Sequence, residues 1–285
     1  MEIDVDTIAR AHEFVVKALI EDGEQQDIET HPGKFEKTWE HHEPIMIIVR
    51  SPGKEPMVSE ACMFGEKFID KYSEDFTKLT PLRGDGMDAT YTYARRLFDY
   101  PKLERVGFDK FAWRGNGDGC GIDQIDQIVE RLSKNPESRR ATAITWVPTI
   151  DGVSNEPPCL QFTHFMLRNC KYVWEKLDPR DTRVPRTPRE FVRTHDLTRV
   201  NVADEDVDYY LHARFPFRSH DMLSGYGANA VGLNSLMQYV AQELHKRTAW
   251  KIGFGSLTTF SSNAHLYWTR DDKELSEFKK TLGIA

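Results

Sequence analysis

The sequence predicts an α+β fold on three observations. Several stretches repeat apolar residues at helical spacing, others read as short strands rich in β-branched and aromatic residues, and the two kinds mix without a regular βαβ repeat. Helical spacing predicts a helix over 5–22, where Ile8, Ala11, Phe14, Val15, Ala18 and Leu19 share one side. A strand is predicted over 43–49, ending in a turn at Ser51-Pro52-Gly53. Residues 66–76 predict a helix with Phe68, Ile69, Tyr72 and Phe76 on one face, and 123–132 a helix carrying Ile125, Ile128, Val129 and Leu132. That helix is expected to end near Lys134-Asn135-Pro136. Strands are expected over 142–147, 160–167 and 209–217, a helix over 234–244, and a further strand running from Ser261 to Tyr267.

The chain has 285 residues, 39% hydrophobic and 29% charged, enough for one substantial core. Residues 177–207 stand apart, with three prolines, many Arg and Asp and little apolar periodicity; they are expected to form a solvated surface insertion, or else a lid or a partner-binding segment. No apolar run approaches the ~20 residues that span a bilayer. The acidic start Met1-Glu2-Ile3-Asp4 does not resemble a signal peptide. Cys62, Cys120, Cys159 and Cys170 are widely spaced and form no CxxC pair, so neither a zinc site nor a disulfide framework is expected. A cytoplasmic, reduced protein is the expectation. A net charge of −7 argues against broad nucleic-acid binding.

Several short runs carry chemistry. Cys159 follows Pro157-Pro158, where each proline stiffens the backbone. It fits a packed thiol as well as a nucleophile, and nearby arginines are expected to favour the thiolate. Arg139 and Arg140 offer two guanidinium forks, but adjacent side chains point apart in a strand, so both reach one phosphate only from a turn or from a neighbouring subunit. Arg218-Ser219-His220-Asp221 can hold a phosphate through Arg218 and Ser219, or form a charged turn. Asn229, after Gly225 and Gly227, fits a helix cap or a ligand contact. His265 and Tyr267 share a face if their segment is a strand. A nucleophile, several arginines and a carboxamide together suggest covalent chemistry on a phosphorylated substrate.

In their order and spacing these pieces resemble the thymidylate synthase family, and its archaeal-type branch in particular. The matching runs are Tyr91-Thr92-Tyr93-Ala94-Arg95-Arg96-Leu97, Asp123-Gln124-Ile125, Pro136-Glu137-Ser138-Arg139-Arg140-Ala141, Pro157-Pro158-Cys159-Leu160-Gln161-Phe162, Arg218-Ser219-His220-Asp221, Asn229, and Gly255-Ser256-Leu257-Thr258-Thr259 through His265 and Tyr267. They cover roughly residues 90–270, without the insertion. The resemblance implies a single domain, 1–285, built on a large bent mixed β-sheet flanked by helices and paired through that sheet in a homodimer. It implies a pyrimidine nucleoside monophosphate, most simply dUMP, as substrate and 5,10-methylenetetrahydrofolate or a related reduced pterin as co-substrate. Cys159 would add to C6 of the base, and Tyr93 would organise proton transfer near C5. Arg218 and Ser219 would hold the phosphate from one subunit, with Arg139 and Arg140 reaching in from the partner. Asp221 would bind the pterin, His265 and Tyr267 the 3′-hydroxyl, and Asn229 would read the base.

Some positions depart from the family's pattern. His164 stands where a glutamine is usual. Glu66, Asp70 and Glu74 are the candidates for the family's catalytic glutamate, Arg50 for its N-terminal phosphate arginine, and Trp113 or Trp39 for the tryptophan that shields the one-carbon intermediate. The same early steps can end in methylation or, with water as the last reactant, in 5-hydroxymethylation of dUMP, dCMP or CMP. A non-catalytic homologue that binds nucleotide or RNA is a further alternative. A cysteine hydrolase would need a base beside the thiol, and His164 falls on the opposite side of a strand from Cys159.

Overall fold

The computed structural model describes residues 1–31, 33–79, 91–107, 110–115, 119–176 and 197–284. The chain begins with β1 (Glu2–Val5), α1 (Ile8–Asp22), the pair β2 (Glu24–His31) and β3 (Lys34–Glu40), then β4 (Ile45–Val49) and α2 (Glu66–Glu74). It continues through α3 (Tyr93–Phe98), β5 (Lys102–Gly107), β6 (Lys110–Arg114), α4 (Gln124–Lys134), β7 (Thr142–Ile144), α5 (Pro148–Asp151), β8 (Phe162–Arg168) and β9 (Lys171–Lys176). Last come β10 (Leu197–Val202), β11 (Tyr209–Phe217), β12 (His220–Asp221), α6 (Tyr226–Thr248), β13 (Ile252–Ser261), β14 (Ala264–Tyr267) and α7 (Asp272–Leu282).

The principal sheet is six-stranded in the order β1-β4-β13-β11-β8-β7. It is mixed: β1 runs parallel to β4 and β11 to β13, while the other neighbours are antiparallel. Alternation along each strand gives it an inner face. Ile45, Ile47 and Val49, Leu257, Leu211, Ala213, Phe215 and Phe165 point inward and join the buried faces of α1, α4 and α6 in one core. Ile144, Phe162 and Phe260 fall on the alternate positions and stay exposed. A second sheet, β12-β14-β3-β2, carries the end of the chain's chemistry-bearing runs.

Several sequence expectations need correction. The helix predicted from residue 5 starts at Ile8, because Thr7 caps it by accepting from the Arg10 N–H, and the residues before it form β1. The strand predicted over 142–147 stops at Ile144. Helix α6 begins at Tyr226, well before the predicted 234, with Gly225 at its cap, so Asn229 lies within its first turn and is not the cap. Two glycines hid this start from a reading by composition. Within the expected insertion, residues 197–202 form β10, paired antiparallel with β9; residues 177–196 lie outside the described residues.

One close approach positions the site. A Cβ on Gly232 of α6 would fall inside the ring of Phe76, which is itself buried. The missing side chain lets the segment after α2 press onto α6. Gly232→Ala should therefore cost about 1–3 kcal/mol, the usual range for overpacking a core. It should also weaken ligand binding, since α2 forms one wall of the site. Thermal unfolding and a nucleotide titration on the same preparation would check both, and unchanged binding would separate the wall from the core.

Candidate active site

A cavity of about 630 Å³ opens between α2, the start of α3, the loop before β8 and the start of α6. It is lined by Cys159, Tyr93, Arg218, Ser219, Asp221 and Asn229, six of the ten predicted site residues. The size suits a small ligand.

The nucleophile candidate is held by its backbone. The Arg218 N–H donates to the Cys159 carbonyl (2.9 Å), and the Arg218 guanidinium donates to the carbonyls of Pro157 (2.8 Å) and Pro158 (3.1 Å). Thr92 caps α3, which places Tyr93 at its first position. The Tyr93 hydroxyl accepts from the Leu160 N–H at 3.4 Å, and Tyr91 hydrogen-bonds to Tyr93 and to the Cys159 backbone. Burial pushes Tyr91 up to about 12 and Tyr93 well above the phenol range, so both stay protonated.

Burial also raises the Cys159 thiol above its ordinary value; Arg218 pulls it down and Asp221 pushes it up. Arg218 favours the thiolate, as expected, but desolvation outweighs it and the net shift is upward. Arg218→Ala should move the thiol higher still. The midpoint of its pH-dependent alkylation by iodoacetamide is then expected to shift toward alkaline pH, and a midpoint unmoved or shifted down would show that Arg218 does not act on the sulfur.

Asn229 is 9% exposed and hydrogen-bonded on both amide atoms. The Tyr72 hydroxyl donates to its Oδ1 (2.8 Å), and its Nδ2 lies 3.2 Å from His220 Nε2. Asp221 is well supplied with donors: the N–H groups of Leu223 and Ser224, the Ser224 hydroxyl, and the Arg270 guanidinium at 2.7 Å. Burial alone would raise this carboxyl, but His265, Ser224 and Arg270 hold it below the usual carboxylate value. Arg270 also lies over the Tyr267 ring at 3.9 Å.

His265 and Tyr267 sit just behind the cavity lining. Strand β14 pairs Asp221 with His265, and His265 Nδ1 approaches the Ser219 hydroxyl at 3.4 Å. The His265 and Tyr267 rings meet edge-on, 5.1 Å apart. Arg139 and Arg140 are exposed and line a separate concavity of about 870 Å³ with Arg131 and Lys134, outside the Cys159 cavity of their own chain.

The substitutes proposed for the departures fare worse. Asp70 is exposed, and Glu74 is exposed and paired with Lys78, so neither faces the cavity; the side chain of Glu66 lies outside the described residues. Arg50 is buried in a two-pronged pair with Asp4 (2.8 and 2.6 Å) and is not available to a phosphate. Trp113 is exposed on β6, and Trp39 stacks on Trp268; neither lines the cavity. His164 is also absent from the lining, which leaves Cys159 without a histidine base from that strand. The residues that sequence reasoning missed are Phe64, Tyr72 and Asp75 around α2, and Tyr91. Phe64, Phe68 and Tyr72 stack in series, with ring centroids 4.4 and 6.0 Å apart, and wall one side of the cavity. Their four-residue spacing is the signal, and it reads equally well as a core stripe.

No helix among the described residues is long and apolar enough to cross a membrane, and no described cluster of side chains is suited to a metal ion. Known archaeal proteins are similar to this chain. A Methanosarcina barkeri protein named "Putative thymidylate synthase" is 28% identical over 224 residues, covering 78% of this chain and 71% of that one. A Methanocaldococcus jannaschii protein of the same name is 27% identical over 270 residues, covering 93% and 90%. The family model for thymidylate synthase matches residues 66–282, a span that takes in every lining residue named above except Phe64. With a mixed sheet flanked by helices and the cysteine, arginine and asparagine drawn to one cavity, the chain belongs to the thymidylate synthase family.

Proposed function

We propose that the protein transfers a one-carbon unit from 5,10-methylenetetrahydrofolate to C5 of a pyrimidine nucleoside monophosphate, dUMP by preference, through a covalent bond between Cys159 and C6. The observation that carries this reading is the shared cavity: the Cys159 thiol, the Asn229 amide and the Arg218–Ser219 pair line one space sized for a nucleotide. The thiolate adds to C6, and the electron pair moves through C5 toward O4, which makes C5 the nucleophile toward the one-carbon group. Loss of the C5 proton would release the donor's nitrogen and leave a methylene at C5; a hydride from the released reduced pterin, or water, then adds to that methylene as the thiolate leaves C6, which restores the ring and the enzyme. The work is divided into steps of lower barrier.

Arg218 and Ser219 hold the phosphate in this reading, and His265, placed behind Ser219, holds the sugar hydroxyl with Tyr267. Tyr93 hydrogen-bonds water near C5, and Asn229 meets the O4 and N3–H of uracil with its free amide hydrogen and lone pair. Asp221 faces the pterin, its charge shared with Arg270. The homodimer forms through the outer face of the principal sheet, where Ile144, Phe162 and Phe260 remain exposed. Arg139 and Arg140 precede β7 at the edge of that sheet, so a second copy on this face brings them toward the partner's phosphate site.

The stacked wall of Phe64, Phe68 and Tyr72 favours hydride over water as the last reactant, because it keeps one side of the cavity apolar. The hydroxymethylating alternative draws on the absence of tryptophan among the described lining residues. Product mass decides between them. With dUMP, UMP, dCMP and CMP each incubated with methylenetetrahydrofolate, a methylated uracil nucleotide with dihydrofolate is the expected result. A hydroxymethylated product with tetrahydrofolate would replace this reading by the alternative, and no product from any of the four would overturn both.

A further inference from the structure

We infer that Tyr72 is a specificity-determining residue: its hydroxyl fixes which way round the Asn229 amide faces the base, through a hydrogen-bonded chain that runs Tyr72–Asn229–His220–Ser261. The inference rests on the proposed role of Asn229 as base reader and goes beyond it, because an amide left to itself is ambivalent. Turned one way it offers an acceptor and then a donor; turned by 180° it offers the reverse. Uracil presents a carbonyl at C4 and an N–H at N3, whereas cytosine presents an amino group and a bare ring nitrogen. A freely turning Asn229 would serve either base.

The surroundings remove that freedom. Tyr72 donates to Asn229 Oδ1 at 2.8 Å, Asn229 Nδ2 meets His220 Nε2 at 3.2 Å, and His220 Nδ1 meets Ser261 Oγ at 3.2 Å. His220 is buried and stacked 3.9 Å from the ring of Phe217, and burial lowers it to about 3, so it carries one ring proton. With the amide nitrogen facing Nε2, that ring nitrogen must accept, so the proton belongs on Nδ1, where it is donated to Ser261. One Asn229 lone pair and one N–H remain for the base.

Turning the amide disturbs every link. His220 must move its proton to Nε2, and Ser261 must become the donor. Tyr72 must accept from Nδ2, and its own O–H then has nowhere to go. The hydroxyl has no other hydrogen-bond partner among the described residues, and the ring is packed between Phe68 and Phe76. Tyr72 is half-buried in the cavity wall, and once a nucleotide excludes water there, an unpaired donor is disfavoured enough to bias the amide by about 5- to 150-fold. Phe76, just past the end of α2, packs into the space that Gly232 leaves on α6, which brings Tyr72 of α2 to the first turn of the facing helix.

The test is the ratio of dissociation constants for dCMP and dUMP, measured calorimetrically on wild type, Tyr72→Phe and Ser261→Ala. Wild type is expected to favour dUMP, and Tyr72→Phe to reduce that ratio about tenfold or more by gaining dCMP affinity. A purely structural role would weaken both nucleotides together, so an unchanged ratio in Tyr72→Phe overturns the inference. If Tyr72→Phe does not fold, Ser261→Ala carries the same test with a smaller drop expected, since it frees the His220 proton at the other end of the chain. Wild type that binds both nucleotides equally overturns the inference alone. Wild type that binds neither overturns the proposed function, and the inference with it.

Discussion

Cys159→Ala should lose turnover by about four orders of magnitude or more, the scale seen when a covalent nucleophile is deleted, while nucleotide binding stays close to wild type. The contrast follows from how the residue is held. Every hydrogen bond that positions Cys159 goes through its backbone: its carbonyl accepts from Arg218, and Tyr91 contacts its main chain. The thiol itself makes no hydrogen bond among the described residues, so truncation removes the reacting atom and leaves the loop in place. Arg218, which in the proposed reading holds the phosphate, keeps its two proline carbonyls in the variant. Single-turnover assays beside a nucleotide titration check both halves. Retained turnover would overturn the covalent mechanism; lost binding would show that the sulfur supports the loop.

The parts of this site that the sequence made legible are those encoded in short contiguous runs. Pro157-Pro158-Cys159 and Arg218-Ser219-His220-Asp221 each carry their chemistry within a few residues, and the cavity contains both. His265 and Tyr267 share a face because strand alternation needs only a local pattern. What stayed hidden depends on distant contacts. Tyr72 and Asn229 are 157 positions apart, and nothing local distinguishes a tyrosine aimed at an amide from one filling a core. The raised thiol of Cys159 is a burial effect, and burial is a property of the packed whole. The pair Arg50–Asp4 likewise withdrew an arginine that looked available, by joining β1 to the end of β4. The start of α6 was obscured for the opposite reason: Gly225 and Gly227 signal a break locally, and packing overrides them. Gly227 lies against His12 and Cys62, 3.3 and 3.4 Å from where a Cβ would stand, so its smallness serves the packing of the helix.

Asn229→Asp should shift preference toward cytosine nucleotides by about 5- to 150-fold, and the reason lies in the donor count around it. A carboxylate has acceptors only. It can still take the Tyr72 hydroxyl and can take the amino group of cytosine, but against the C4 carbonyl of uracil it sets oxygen against oxygen. An unsatisfied buried polar group costs ~1–3 kcal/mol, which gives the expected factor. The substitution also reverses the demand on His220. Its Nε2 now faces an acceptor, so the ring proton must sit there, with Ser261 donating to Nδ1, or the ring must take up a second proton. A nearby carboxylate raises a histidine, so His220 is expected to titrate above its present value of about 3. Two readouts therefore belong together: the ratio of dissociation constants for dCMP and dUMP, and the titration of the His220 ring followed by NMR. A shift in both identifies Asn229 as the group that meets the base and His220 as the group that answers it. An altered His220 with unchanged nucleotide preference would remove Asn229 as the base reader while leaving the buried chain intact, since the ring senses the carboxylate whether or not a base is bound.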